Sequence, residues 1–199
     1  MTLISRFEKI YKMNLWKSPE SRSGRGSEIK HTKTVRRELV KLIKHLEFTS
    51  ILDAGCGDFN WMSKVPLKIP YRGCDIVPEM IAKNKKDFGD RKNVLFFVAD
   101  IRKDDLPQVD VILCRCALYH LSHASIKEVL ANFKRSGSHF ALLTNLPQVE
   151  KNTDIEDGEY RRLNLQLEPF NLPLPLLSII DDNGANEVLS LYRMEELPE

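Results

Sequence analysis

The sequence predicts an α/β fold: a doubly wound, mostly parallel seven-stranded sheet with helices on both faces and an antiparallel strand at its C-terminal end. Three observations predict it. Between Ser50 and Asn145, short apolar runs alternate with stretches of helical periodicity, the rhythm of strand–helix–strand units. The runs are almost continuously apolar, which suits strands covered on both sides. Each of the first four ends in a polar loop, the place where a doubly wound sheet binds its ligands.

Leu3, Ile4, Phe7, Ile10 and Tyr11 recur at helical spacing, so the chain opens with a helix. "WKSPESRSGRGSEIKHT" follows as a loop, and Ser27 is placed to cap a second helix with the stripe Ile29, Val35, Leu39, Leu42 and Leu46. "SILDA" is the first strand, and "NWMSKV" holds a helical turn or two before Pro66. "YRGCDIV" is the second strand, and Pro78 suits the first turn of the helix "PEMIAKNKKDF". "VLFFVAD" and "VDVILCR" are the third and fourth strands. Ser122 opens a helix running through Phe133, and "HFALLTN" is the fifth strand. "YRRLNLQLEPFNLPLP" is too apolar for a disordered tail and reads as an ordered loop packed over the domain. "LLSIID" and "EVLSLYRM" close the chain as a strand pair.

The 199 residues fit one domain, with 42% apolar and 29% charged residues, the balance of a soluble globular protein. No apolar run reaches the length of a membrane span, and the N-terminus lacks the apolar core of a signal peptide. The expectation is a cytoplasmic protein. Cys56, Cys74, Cys114 and Cys116 lie in or beside strand-like runs, without CxxC or zinc spacing, and read as buried free thiols. Net charge is +2, but residues 1–50 hold 12 Lys and Arg against 5 Asp and Glu. Such a basic third steers an anionic partner or simply forms the solvated side of helices.

The first strand runs into "ILDAGCGDFNWM", an apolar run, an acid and two alternate glycines. Alone, a GxG turn is weak evidence, because tight turns need glycine without any ligand. Asp75 ends the second strand 18 residues after Gly57, near the spacing at which a carboxylate reaches ribose hydroxyls. Ile76 then lies against a purine face, and Asp100 and Ile101, ending the third strand, frame the base edge. Phe59 stands at the third alternate position, where a nucleotide-binding turn wants a small residue, and this counts against a pyrophosphate cofactor. With Asn60 and Trp61 it is expected to shape the pocket end beside Gly55 and Gly57.

"LDAGCG", "CDIVPEMI", "VADIRKDDLP" and "VDVILCRCALYHLS", in this order, resemble the class I S-adenosylmethionine-dependent methyltransferases. The resemblance covers roughly Ser50 to Asn145 and implies a Rossmann-like fold with S-adenosylmethionine as cofactor. It implies that Asp53, Gly55, Cys56 and Gly57 wrap the methionine part. Asp75 takes the ribose diol, Ile76 packs on adenine, Asp100 and Ile101 face the adenine edge, and Arg115 lends backbone or side chain. Trp61 and Arg25 are further expected cofactor contacts. "SGRGS", "GDFNWM", "LYHLS" and "YRRLNLQLEPFNLPLP" look like a compact subgroup associated with carbohydrate and surface-glycan modification. A common form of that subgroup has an acid where this chain has Cys116. The chain then divides into an N-terminal helical lid segment (1–49), a cofactor-binding core (50–145) and a substrate loop with closing strands (146–199), all one domain.

Methyl transfer from a sulfonium is an in-line displacement, so the protein must align the acceptor and exclude water. A hydroxyl acceptor also gains from a base, and His120, after the fourth strand, is the candidate. His123 reads as a helix-start residue, while His31, His45 and His139 sit on a helix face or a strand start. Trp16, Tyr119, Tyr160, Arg161 and Asn164 are the expected acceptor contacts, with Arg22 and Arg162 as further donors nearby. No metal is expected; Asp104 and Asp105 read as solvent-facing charge.

The expected acceptor is therefore a small-molecule or glycan hydroxyl. The alternative is a nucleic-acid or N-methyltransferase on the same fold. Against nucleic acid, the strand-four exit is "CRCALYH", not [DN]PPY, and neither Cys114 nor Cys116 follows a proline. A nicotinamide-dependent oxidoreductase shares the first turn and the ribose acid but not the third and fourth motifs. A non-catalytic binding module keeps the fold but has no need of a complete set of cofactor loops. The sequence leaves the oligomeric state open.

Overall fold

The computed structural model describes residues 2–181 and 186–198. Strands β1 (Ile51–Ala54), β2 (Tyr71–Asp75), β3 (Val94–Val98), β4 (Val111–Cys114), β5 (Phe140–Asn145), β6 (Leu177–Asp181) and β7 (Glu187–Arg193) form one sheet. Their spatial order is β3-β2-β1-β4-β5-β7-β6. Strands β1 to β5 pair in parallel, and β7 runs antiparallel to both β5 and β6. The chain winds outward from β1 to β3, then returns to place β4 against the other side of β1. That reversal opens a crevice at the carboxyl ends of β1 and β4.

Among the described residues the α-helices are α1 (Leu3–Met13), α2 (Lys33–His45), α3 (Pro78–Phe88) and α4 (His123–Arg135). The starts of α1, α3 and α4 have local causes. Thr2 caps α1 by accepting from the Ser5 amide, and Asn14 ends it in the left-handed region. Pro78 occupies the first turn of α3, where its missing N–H is no loss. The Ser122 hydroxyl accepts from the Ser125 amide at the start of α4.

The second helix starts later than its sequence predicts. Ser27 ends a short turn (Arg25–Ser27), a second turn covers Ile29–His31, and α2 begins only at Lys33. Tertiary bonds hold this stretch. Asn60 takes the Ser27 carbonyl at 2.9 Å, and the buried Glu28 carboxylate accepts from Ser18 Oγ at 2.9 Å. The backbone is thereby committed before a helix can start. The stretch after β1 holds only the short turn Met62–Lys64.

Alternate strand residues face opposite ways and build two cores. Leu52, Ile112, Cys114, Ala141 and Leu143 meet Ile126, Val129 and Phe133 of α4. Ile51, Val111, Leu113 and Leu142 meet Val35, Leu39 and Leu42 of α2. The late loop is ordered as expected: Leu163, Leu165, Phe170 and Leu172 are buried in the α4-side core. Strand β3 departs from the doubly buried pattern, because it lies at the sheet edge; Leu95 and Val98 are 56% and 48% exposed. The four cysteines are free thiols, three buried and Cys116 half-buried. Among the described residues no helix is long and apolar enough to cross a membrane.

Candidate active site

A cavity of about 970 Å3, counting its open mouth, lies at the reversal point between β1 and β4. The loop after β1 forms its floor. Gly55 and Gly57 have φ of 84° and 58°, and a Cβ at Gly55 would stand 2.8 Å from the Ala117 Cβ. Their backbone amides are spoken for: Gly55 and Cys56 both donate to the Cys74 carbonyl at 2.9 Å, and Gly57 donates to Asp75 Oδ2 at 3.1 Å. This pins the glycine turn to the end of β2.

Asp75 is held from two sides, since the Val77 amide donates to its other oxygen at 3.1 Å. Burial raises its pKa to about 6, opposed by these amide bonds. Asp53 stands deeper, 2% exposed, and accepts from Tyr71 Oη at 2.7 Å. Burial lifts its carboxyl to about 7, with the tyrosine bond pulling the other way. Asp100 is the contrasting case. Burial would raise it, but the Arg102 guanidinium, at 2.9 and 2.7 Å, holds it below the usual carboxylate range. Arg102 is a residue the sequence reading missed, although it lies within the third motif loop.

Cys56, Trp61, Ile76, Ile101 and Arg115 also line the cavity. Arg115 is buried and works as a tie. Its guanidinium forms a two-pronged pair with Asp181 at 2.7 and 2.9 Å, donates to the Gly26 carbonyl at 2.9 Å, and lies 5.0 Å above the Trp61 ring. Asp181, 66 residues away at the end of β6, carried no sequence signal.

His120 lines the same cavity from the turn Ala117–His120. Its Nδ1 hydrogen-bonds to the Glu159 carbonyl at 2.8 Å, which makes Nδ1 the protonated nitrogen and leaves the lone pair on Nε2. Burial lowers its pKa to about 4, so the ring is neutral near pH 7. Trp16 lies 4.7 Å from the imidazole and Tyr160 lies 5.5 Å from it. The loop 158–161 braces this turn: Gly158 N donates to the His120 carbonyl, and Arg161 donates to Leu118 O at 2.7 Å and Leu121 O at 2.5 Å.

Trp16 lines the cavity with Arg22, Ser23 and Ser27, all from the segment after α1, and the α1 stripe Leu3, Phe7 and Tyr11 adds an apolar wall. The sequence shows that stripe only as helical spacing within the expected lid segment.

The other expected residues are not brought to the cavity. Arg25 is exposed and does not line it. Tyr119 is buried in the α4-side core, its hydroxyl lacking a partner among the described residues. Tyr160 is 57% exposed and packs on Tyr119 and His120 outside the lining. Arg161 is spent on the two carbonyls just named, and Asn164 on the Pro147 and Val149 carbonyls at 3.2 Å. Phe59 does not shape the pocket either. At φ 58° its ring turns inward, 5.0 to 5.1 Å from Tyr71, Phe88 and Phe96.

One group of possible metal ligands occurs among the described residues: Cys116, Asp181 and Glu187, their ligand atoms within 4.8 Å of one another. Both Asp181 oxygens are already held by Arg115, and burial pushes the Cys116 thiol up to about 12. A neutral thiol and a neutralised carboxylate make poor cation ligands.

The sheet order with one antiparallel strand, and a cavity at the reversal point, define the Rossmann-like methyltransferase fold. Residues 51–137 match the model of a methyltransferase domain, which implies S-adenosylmethionine as the cofactor. Solved structures agree in fold. Phosphoethanolamine N-methyltransferase 1 of Haemonchus contortus, with phosphoethanolamine and S-adenosylhomocysteine bound, has a TM-score of 0.68 at 14% identity, covering 97% of this chain and 50% of that one. The PH0226 protein of Pyrococcus horikoshii has 0.61 at 18%, covering 82% and 89%. Human N-acetylserotonin methyltransferase, in complex with S-adenosylmethionine, has 0.59 at 17%, covering 81% and 52%. This chain thus spans about half the length of the human and H. contortus enzymes. No curated protein sequence matches it.

The residues present fit this cofactor. The two glycines leave the floor without Cβ atoms, and a fixed carboxylate, Asp75, stands between that floor and an apolar slot of Ile76, Met80 and Ile101. A nucleoside joined to a charged amino acid needs these features in this order.

Proposed function

We propose that the chain transfers a methyl group from S-adenosylmethionine to a hydroxyl of a small molecule or glycan, with His120 as general base. The observation that carries this reading is the imidazole at the strand-four exit: its Nδ1 bonds the Glu159 carbonyl, and Nε2 is its accepting nitrogen. Such a nitrogen can accept the hydroxyl proton as the new bond forms. The lowered pKa keeps it in the accepting form over the whole neutral range.

When bound, the cofactor supplies a methyl group already activated by a positive sulfur. The chain's own residues supply alignment and exclusion of water. Asp75 accepts from the ribose diol, and Ile76 and Ile101 enclose the base beside Asp100. Gly55, Cys56, Gly57, Asp53 and Trp61 surround the amino-acid end, with Arg115 behind them. Trp16, which lines the cavity, flanks the imidazole with an aromatic plane, a surface on which the apolar face of a sugar packs.

The test is His120→Ala and His120→Asn, assayed with labelled S-adenosylmethionine against a panel of sugars and small alcohols. Turnover falls by about 10²- to 10⁴-fold, the range a positioned base contributes. S-Adenosylhomocysteine affinity stays within about twofold, since the ring contributes to proton transfer and not to cofactor binding. Unchanged turnover removes His120 as the base.

A further inference from the structure

The segment after α1 is fastened across the cavity by one carboxylate of the glycine loop. Asp58 accepts from Ser21 Oγ at 3.0 Å, from the Arg22 amide at 2.6 Å and from Ser23 Oγ at 3.1 Å. Its own amide donates back to Ser23 Oγ at 2.9 Å. Ser23 sits so close to Gly57 that a Cβ there would stand 2.0 Å from its hydroxyl. Gly57 therefore leaves room for this segment as well as for a ligand. Two residues past Asp58, Asn60 donates to Glu20 Oε1 at 2.6 Å and to the Ser27 carbonyl.

The fastened segment also carries the aromatic that covers His120. Gly24, at φ 89°, lets the chain fold back on itself; a Cβ there would stand 3.2 Å from the Trp16 Cβ. Trp16 in turn lies 4.7 Å from the imidazole. A continuous line of contacts thus joins the glycine loop to His120 through Asp58, Ser23, Gly24 and Trp16.

We propose that Asp58 is a positioning residue that latches residues 16–27 over the cavity, so that holding the cofactor and setting Trp16 against His120 are one event. The proposal rests on the reading that this cavity holds S-adenosylmethionine. With the latch open, the cofactor exchanges. With it closed, Arg22, Ser23 and Ser27 complete the wall and Trp16 completes the acceptor side. Closure that assembles a site and excludes water together is a common use of a lid.

The test uses the full chain with Asp58→Ala, Asp58→Asn and the milder Ser23→Ala. The first readout is trypsin cleavage after Arg22 and Arg25, with no ligand added. Asp58→Ala speeds it by about tenfold or more, and Asp58→Asn, which keeps one accepting oxygen, less. Cleavage elsewhere stays at the wild-type rate. The second readout is release of S-adenosylhomocysteine, followed by tryptophan fluorescence in stopped flow. Release accelerates in the same order, by about tenfold for Asp58→Ala, and kcat falls with it. Wild-type release rates in Asp58→Ala overturn the proposal, and so does cleavage that rises evenly along the chain. Should Asp58→Ala fail to fold, Ser23→Ala must still speed both readouts by about threefold, from the loss of one hydroxyl's bonds. If wild-type protein binds no S-adenosylhomocysteine, the cofactor reading falls, while cleavage still decides the latch.

Discussion

Cofactor affinity should collapse in mild acid, and the two buried carboxylates set where. Asp53 stands at about 7 and Asp75 at about 6, each raised by burial from 3.8. Both must be ionised to serve: Asp53 beside a cationic amino-acid end, Asp75 as acceptor for ribose hydroxyls. Protonation weakens binding by the factor 1 + 10^(pKa − pH) for each group. From pH 8 to pH 5 this comes to about 100-fold from Asp53 and about tenfold from Asp75, together about 4 kcal/mol. His120, at about 4, stays neutral over this range and contributes nothing. The assay is calorimetric titration of S-adenosylmethionine between pH 5 and 8, with adenosine as the control. Adenosine lacks the charged tail and should lose only about tenfold, the Asp75 share. Tyr71→Phe removes the donor to Asp53 and should move the upper break toward higher pH by about one unit. A flat affinity profile, or equal slopes for the two ligands, would refute the reasoning. Stability of the ligand-free chain must run the other way. Both folded-state pKa values lie above their unfolded values, so the folded chain binds more protons and loses stability as pH rises from about 4 to 7.

Two further outcomes follow from the packing. Arg161→Ala frees the carbonyls of Leu118 and Leu121 and loosens the turn under His120; turnover should fall by about tenfold with S-adenosylhomocysteine affinity unchanged. An equal loss of cofactor affinity in a titration would place Arg161 in the cofactor site instead. Phe59→Leu should cost about 1–2 kcal/mol of stability by urea titration, because its ring fills the aromatic cluster on Tyr71, Phe88 and Phe96. Cofactor affinity should not change, and a weakened affinity would restore Phe59 to the pocket.

The loops that line the cavity were legible because each follows a strand end directly. Gly55, Gly57, Asp75, Asp100 and Ile101 sit within three residues of the ends of β1, β2 or β3, so chain order alone delivers them to one rim. His120 was legible for the same reason, six residues past β4. Arg25, Tyr160, Arg161 and Asn164, which failed to reach the cavity, belong to segments with no such constraint, whereas Tyr119 and Phe59 follow strand ends but turn into the cores. Arg161 and Asn164 lie in the late loop, whose course is set by buried polar bonds that sequence cannot pair. Their donors suited an acceptor equally well on paper, and backbone carbonyls took them first.

By itself the sequence determined the doubly wound sheet, the strand-end loops that line the cavity and the residue at the strand-four exit. Those follow from apolar periodicity and from short-range position along the chain. Only the tertiary structure decided which polar groups remain unspent. Asp58 is committed to the N-terminal segment, Arg115 to Asp181, Asp100 to Arg102, and Phe59 to the core. The physical reason is competition: a buried donor or acceptor must be satisfied by whatever the fold brings within 3 Å or so, and for Asp58 and Arg115 the partners lie tens of residues away.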